Sequence, residues 1–283
     1  MNKSMKIIIV IAIVFILAGG IFIGAAYAFG ERYVDSKLEN YSAVFDDTAD
    51  AKVNQIHIDD MVADVRFLKA GNDETSGITV EAENIVLDNF KCEVNNNIMT
   101  ISYNPSTVKY GFISLPSFVF DMNTKLPVIK IYICEGKVLD EVNFISNVGN
   151  ISSEELNTET FIISGGLGNC NIENLTAGNV RIDGGVGDTN ISGTINGQTM
   201  IEGGLGNLRI SGQMNGNIKL NGGVGNVNFD LSGDANDYNI KSNGGVGDIK
   251  INSKKANDFI NSSESKYNID INGGLGNITI KIK

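Results

Sequence analysis

From Val53 onward, apolar residues alternate with polar ones. "QIHID" sets Ile56 and Ile58 on one side, "DVRFL" sets Val65 and Phe67, "GITVEA" sets Ile78, Val80 and Ala82, and "NFKCEV" sets Phe90, Cys92 and Val94. A period of two, broken by "AGND" and "NNN", predicts half-buried β-strands joined by turns. Two earlier stretches differ. "ERYVDSKLENYSAVFDD" carries Val34, Leu38, Tyr41 and Phe45 at intervals of four, three and four, which predicts a short amphipathic helix serving as a stalk. Ile7 to Ala28 is a run of 22 residues without a charge. At about 1.5 Å per residue it reaches roughly 33 Å, enough to cross a hydrocarbon core of about 30 Å.

A third pattern fills the remainder. Gly-Gly-Leu/Val-Gly-Asn/Asp begins at Gly165, Gly184, Gly203, Gly222, Gly244 and Gly273, with a degenerate copy, "SNVGN", at Ser146. Successive starts lie 19, 19, 19, 19, 22 and 29 residues apart. A fixed period near 20 with period-two segments inside it predicts a β-solenoid whose coils hydrogen-bond to the coils above and below. Nineteen residues before Ser146, "PVIKIYICEGKVLDEVNFI" lacks the glycines but keeps Ile129, Val142 and Phe144 at apolar positions, giving seven coils and a partial eighth. The chain is therefore expected to be all-β apart from its anchor and stalk. It divides into a cytoplasmic tail (1–6), a transmembrane signal anchor (7–28), a partly helical stalk (29–52), an N-terminal β segment (53–126) and a glycine-rich β-solenoid of about 19-residue coils (127–283).

Aligned coils give each column one character. The third position is Val148, Leu167, Val186, Leu205, Val224, Val246 and Leu275, and the eighth, after Ser153, runs from Ile172 to Ile280; both are read as inward. The seventh is polar throughout, from Ser152 to Thr279, and is read as outward. Glycine occupies the fourth position in every copy, as required where φ is positive or coils approach closely. The fifth is Asn or Asp, types that tolerate the left-handed region and can bond to one another in a ladder. Asp188 and Asp248 never fall in adjacent coils, which avoids stacked carboxylates. "ITIKIK" ends the chain with Lys281 and Lys283 pointing outward, read as a guard against edge pairing.

Charge then locates the chain. Lys3 and Lys6 precede the apolar run and Glu31 is the first charge after it, so the bulk lies outside the cell. Ala26-Tyr27-Ala28 has the form of a signal-peptide cleavage site, but the run exceeds the usual 7 to 15 residues, which favours a retained anchor. Gly20 and Gly24 form a GxxxG spacing within it. The net charge is −11, and removing the two lysines leaves −13 for the remainder, which argues against nucleic acid or anionic lipid as partner.

Candidate chemistry is sparse. The single histidine, His57, alternates outward between Ile56 and Ile58 with no nucleophile motif to serve. Three cysteines, Cys92, Cys134 and Cys170, contain no CxxC and signal neither a zinc site nor a disulfide framework; none follows the apolar run to carry a lipid. The glycine signature invites comparison with calcium-binding RTX repeats, but its sixth positions, among them Ile151, Cys170, Thr189 and Leu208, supply no aspartate. Glu154 with Glu155, or Asp230 with Asp234, are the carboxylate pairs that a polysaccharide-cleaving β-helix would need. Two segments break the repeat: "KYGFISLPSFVFDMNTKLP", with Tyr110, Phe112, Phe118 and Phe120, and the insertion "NSKKANDFINSSESKYN". Each suits a solenoid cap or a recognition surface.

From "IHIDDMVADVRFLKAG" to "INGGLGNITIKIK" the chain resembles the bacterial putative-adhesin domain family, a domain of unknown function with a glycine-patterned β-solenoid. The resemblance implies an N-terminal strand segment leading into repeating coils, often behind a single membrane anchor, and some relatives accompany envelope-stress regulators. The expected function is a membrane-anchored, non-enzymatic, extracellular module for adhesion, envelope scaffolding or envelope-stress sensing. Its expected partners are the membrane and a cell-envelope protein or glycan; no catalytic, metal or cofactor-binding residue is assigned and no cofactor is implied. The alternative is a polysaccharide-processing β-helix enzyme.

Overall fold

The computed structural model describes residues 38–47, 52–71, 77–105, 107–110, 113–116, 126–145, 147–243, 245–255 and 264–283. They fall in two compact units. One includes residues 105–124, in which Thr107–Tyr110 and Ile113–Pro116 form an antiparallel hairpin. The other, Leu38–Asn104 with Lys125–Lys283, is the solenoid. Among the described residues no helix is long and apolar enough to cross a membrane. The anchor expected at 7–28 lies outside them.

Each coil has a strand before the glycine corner and a strand after it. Before the corner, Leu139–Ile145 lies on Leu156–Ser164, which lies on the second half of Cys170–Asp183, and so on through Thr199–Glu202 and Ile218–Asn221, all parallel. After it, Ile151–Ser153, the first half of Cys170–Asp183, Thr189–Ile195, Leu208–Met214 and Val227–Leu231 stack likewise. Cys170 faces Thr189, Thr189 faces Leu208 and Leu208 faces Val227. Inward columns form because parallel in-register pairing puts like residues over like: Ile172, Ile191, Ile210 and Phe229 are buried in one, Ile163, Ile182, Ile201 and Leu220 in the other. Toward the N-terminal end, Phe67, Phe144 and Phe161 fill the same interior edge to face, with centroids 5.8 and 6.1 Å apart.

Three expectations change here. The residues Glu39–Asp46, expected to be helical, form a strand antiparallel to Gly77–Ile85, with Tyr41, Ala43 and Phe45 turned toward the protein and Val44 exposed. A spacing of four from Tyr41 to Phe45 satisfies both a helical turn and two strand repeats, and pairing to an available edge selects the strand. Second, the solenoid begins before residue 127. Gln55–Met61 pairs with Leu139–Ile145, and Asp64–Lys69 with Ile151–Ser153, so "QIHIDDMVADVRFLK" is itself a coil. Ile129 faces Val65 and not the column of Val148, because Val128–Ile133 lies beneath that first coil. Below it the stack turns antiparallel: Gly77–Ile85 closes one side and Phe90–Asn95 the other.

The third change is at the far end. Strand Tyr267–Asn272 lies between Ile218–Asn221 and Tyr238–Asn243, and Ile278–Ile282 lies between Val227–Leu231 and Ile249–Ile251. The last coil in the chain is therefore the penultimate layer in space, and Ile278–Ile282 is not an edge strand. The outermost layer is the Tyr238–Ile251 coil. Lys254–Lys255 folds antiparallel onto Ile249–Ile251, so Lys250, Lys254 and Lys255 place exposed charge at this end.

Candidate functional site

The glycine corner defines two candidate surfaces. Residue four of the signature has φ between 138° and 147° from Gly149 to Gly247 and in Gly276. A Cβ on Gly206 would stand 2.1 Å from the carbonyl oxygen of Gly187, and one on Gly225 would stand 1.9 Å from that of Gly206. Both the backbone conformation and the stacking distance therefore require glycine. With no side chain between them, the Gly206 amide donates to the Val224 carbonyl at 2.9 Å and the Leu205 amide to the Gly185 carbonyl at 2.8 Å.

The third position, expected inside, points out. Bridges connect Val62, Val148, Leu167, Val186, Leu205, Val224, Leu275 and Val246 in that spatial order, and fractional exposure runs from 39% at Val148 to 70% at Val246. At about 4.8 Å per coil this is an aliphatic ridge roughly 34 Å long. Parity explains it: positions six and eight face the core, so position three, an odd number of residues away, faces solvent. Exposed glycines such as Gly165, Gly168, Gly203 and Gly206 border the ridge, leaving a bare shelf of backbone on each side.

Beside the ridge the fifth position forms the expected ladder and extends it to eight members. The Asn150 amide donates to Asp64 Oδ1, Asn169 to Asn150, Asp188 to Asn169, Asn207 to Asp188, Asn226 to Asn207, Asn277 to Asn226 and Asp248 to Asn277, at 2.8 to 3.2 Å. The side-chain amide of Asn207 adds a 3.1 Å bond to Asp188 Oδ1. Aspartate thus stands at the two ends and once in the middle, always with asparagine as its neighbour. Asn207→Asp would bring two carboxylates together and remove a donor. The variant is expected to be about 1–3 kcal/mol less stable at pH 7, measured by denaturant titration.

The strand after the corner carries the second surface, which the outward seventh position had signalled. A hollow of about 460 Å³ is lined by Asp64, Arg66, Asn150, Ser152, Glu154 and their neighbours. A second, of about 260 Å³, is lined by Asn190, Ser192, Arg209 and Ser211 among others, and the two share Asn171 and Glu173. Asn171 Nδ2 donates to Glu173 Oε1 at 3.1 Å, and the Arg209 guanidinium bonds the Asp230 carboxylate of the next coil. The result is a polar groove crossing several coils, in which Ser152, Asn171 and Asn190 stack at the strand spacing between Arg66 and Arg209. Sequence reasoning marked its outward column but missed the groove, because hollows depend on how neighbouring side chains of unequal length pack.

Of the other candidate residues, Glu154 lines this groove, and the rest lie apart from it or are already engaged. His57 sits between buried Ile56 and Ile58 with Nε2 3.0 Å from Glu141 Oε1. Asp234 accepts from the Asn236 amide at 2.9 Å and so caps a turn, while Asp230 holds Arg209. Glu155 Oε1 takes Asn157 Nδ2 at 3.5 Å, and the Glu154 carbonyl takes Asn174 Nδ2 at 2.9 Å. Sixth-position residues, where an RTX repeat would hold calcium, face the core: Ile151, Cys170, Leu208 and Val227 are buried. Among the described residues no group of three or more His, Cys, Asp or Glu is placed to hold a metal ion. All three cysteines are free thiols, and burial pushes Cys92 and Cys170 up to about 12, which keeps them protonated and poorly nucleophilic at neutral pH. Phe112, Phe118 and Phe120 lie outside the described residues.

No curated protein matches the chain. It is similar to the solved structure of a putative cell adhesion protein from Clostridium sporogenes, at 18% identity and a TM-score of 0.41, covering 87% of this chain and 100% of that one. A putative adhesin from Bacteroides fragilis is similar at 16% identity and a TM-score of 0.44, over 87% and 99% of the two chains. A putative lipid binding protein from Parabacteroides distasonis follows at 13% identity and 0.35, over 86% and 97%. The family described as Toastrack DUF4097 matches residues 53–272, from the first coil through the strand that inserts near the end of the stack. The resemblance to putative-adhesin domains read from the glycine signature holds, and the chain belongs to the Toastrack DUF4097 family.

Proposed function

We propose that the chain acts outside a bacterial cell, tethered by residues 7–28, as a non-enzymatic module of adhesion, envelope scaffolding or envelope-stress sensing that grips a linear envelope polymer in its polar groove. The observation that carries this reading is the continuity of the groove from Arg66 to Arg209 across stacked coils. A polymer with a short repeat can meet the same set of amides and hydroxyls coil after coil, gaining affinity by many weak contacts. A glycan fits such donors and acceptors, and Arg66 can take a carboxylate on an acidic one. Of the two carboxylate pairs a polysaccharide-cleaving enzyme could use, Asp230 and Asp234 are committed to Arg209 and to a turn amide, whereas Glu154 lines the groove, so the test includes it.

The test uses full-length protein in detergent, incubated with isolated cell-wall sacculi and a panel of bacterial polysaccharides. Retention without new reducing ends is expected, reduced at least about tenfold by combined Asn190→Ala and Arg209→Ala. Release of sugar ends that stops in Glu154→Gln or in Asp230→Asn would establish the enzyme and overturn the proposal; so would failure to retain any envelope polymer.

A further inference from the structure

We infer that the aliphatic ridge pairs with the ridge of a second copy of this chain. Seven ridge residues between 39% and 70% exposed leave on the order of 600 Å² of aliphatic surface in one line. That stands at the upper end of the roughly 300–600 Å² that the largest apolar patch of a soluble monomer covers. With the glycine shelves beside it, the strip approaches the roughly 800 Å² per partner typical of a stable interface.

The shape selects the occupant. A ridge of Leu205, Val186 and their neighbours stands next to a shelf of exposed Gly203, Gly206 and Gly168, so knob and hollow lie side by side on one surface. A two-fold axis brings the ridge of one copy over the shelf of the other, and the reverse, which makes the surface self-complementary. Rungs on both copies repeat at the same strand spacing of about 4.8 Å, so the side chains interdigitate along the full length. An α-helix, with a pitch of about 5.4 Å, drifts out of step over such a distance. Positions one to four of the signature carry no charge in any copy, while Asp183, Asp188 and Glu202 flank them and the chain carries −11 overall. Two acidic copies therefore attract through the ridge and repel through its margins. Added salt screens the margins, so association strengthens as salt rises; the same acidic margins disfavour an anionic lipid surface.

The experiment is sedimentation of the full chain in detergent, at about 0.05 and about 0.5 M NaCl. A dimer that tightens with salt is expected, with its dissociation constant raised at least roughly 100-fold by Leu167→Asp with Leu205→Asp. Both side chains are exposed, so an unchanged melting curve shows that the variant still folds. As a second arm, Gly20→Leu with Gly24→Leu, which removes any pairing of anchors, should leave the ridge dimer intact. A chain that stays monomeric at about 100 μM, roughly a hundredfold above a micromolar dissociation constant, would overturn the inference. So would a dimer indifferent to the aspartates, or a monomer whose ridge binds phosphatidylcholine–phosphatidylglycerol vesicles and loses them in the aspartate variant.

Discussion

Gly206→Val is expected to destabilise the solenoid by about 4 kcal/mol or more, whereas Ser211→Val, five residues on, should change stability by less than about 1 kcal/mol. Two costs add at Gly206. Its φ of 141° is a conformation that a β-branched residue does not tolerate, and its Cβ would fall 2.1 Å from the Gly187 carbonyl oxygen and 2.7 Å from the carbonyl carbon. Relief requires moving one coil away from the other, which breaks the corner hydrogen bonds from Gly187 to Leu205 and from Leu205 to Gly185 and loosens the Asn207 rung beside them. Ser211 lies on an ordinary strand facing Ser192 and Asp230, where a β-branched residue is at home. The column contains its own control. Ala63 stands in the glycine place of the first coil without a left-handed φ, and its neighbours Val62 and Asp64 donate to Tyr103 and Pro127, which are far apart in the chain and do not form a glycine corner. Melting temperatures of the two variants decide the matter, and equal values would remove the role assigned to the column.

Removing residues 253–283 is expected to do more than delete the last coil of the chain. Tyr238–Asn243 is held to the stack by Tyr267–Asn272, and Ile249–Ile251 by Ile278–Ile282. Without those strands the 238–252 segment loses its partners, and Ile218–Asn221 and Val227–Leu231 become open edges. Five buried isoleucines, Ile269, Ile271, Ile278, Ile280 and Ile282, disappear with the deletion, each worth about 1.5–3 kcal/mol of burial. The truncated protein should exchange its amide hydrogens freely throughout 238–252, be cut there by protease and aggregate through the exposed edges. Coils stacked in chain order would instead leave 238–252 protected. The same arrangement means that the stack cannot close until Tyr267–Asn272 and Ile278–Ile282 have been synthesised, because these strands complete an interior layer.

How much of this was legible follows from what each pattern encodes. A repeated glycine reports a backbone requirement, so the column from Gly149 to Gly276 could be read directly, as could the Asn/Asp ladder and the buried eighth position. The third position was misjudged because apolar character was taken as burial, although parity with Ile210 and its equivalents already turned Leu205 outward. The coil around Val62, Ala63 and Asp64 escaped notice because it keeps the apolar spacing and the carboxylate rung but not the glycine. Spatial order was not legible at all: column membership says what a residue stacks on in kind, and only the irregular steps of 22 and 29 residues hinted that the chain leaves and returns. The groove remained hidden for a related reason, since it forms from side chains 19 or more residues apart whose lengths, not types, shape the hollow.

The spatial order of the coils is tested most directly by disulfide trapping on the exposed ridge, where cysteines do not disturb the core. Val224 bridges Leu275, and Leu275 bridges Val246. Neighbouring rungs at about 4.8 Å fall within disulfide reach, whereas rungs two layers apart, at about 9.6 Å, do not. Oxidation of the Val224→Cys, Leu275→Cys variant should yield a linked peptide pair by mass spectrometry, and the Val224→Cys, Val246→Cys variant should yield none. Linkage of the second pair and not the first would show that the coils follow one another in chain order and would contradict the architecture described here.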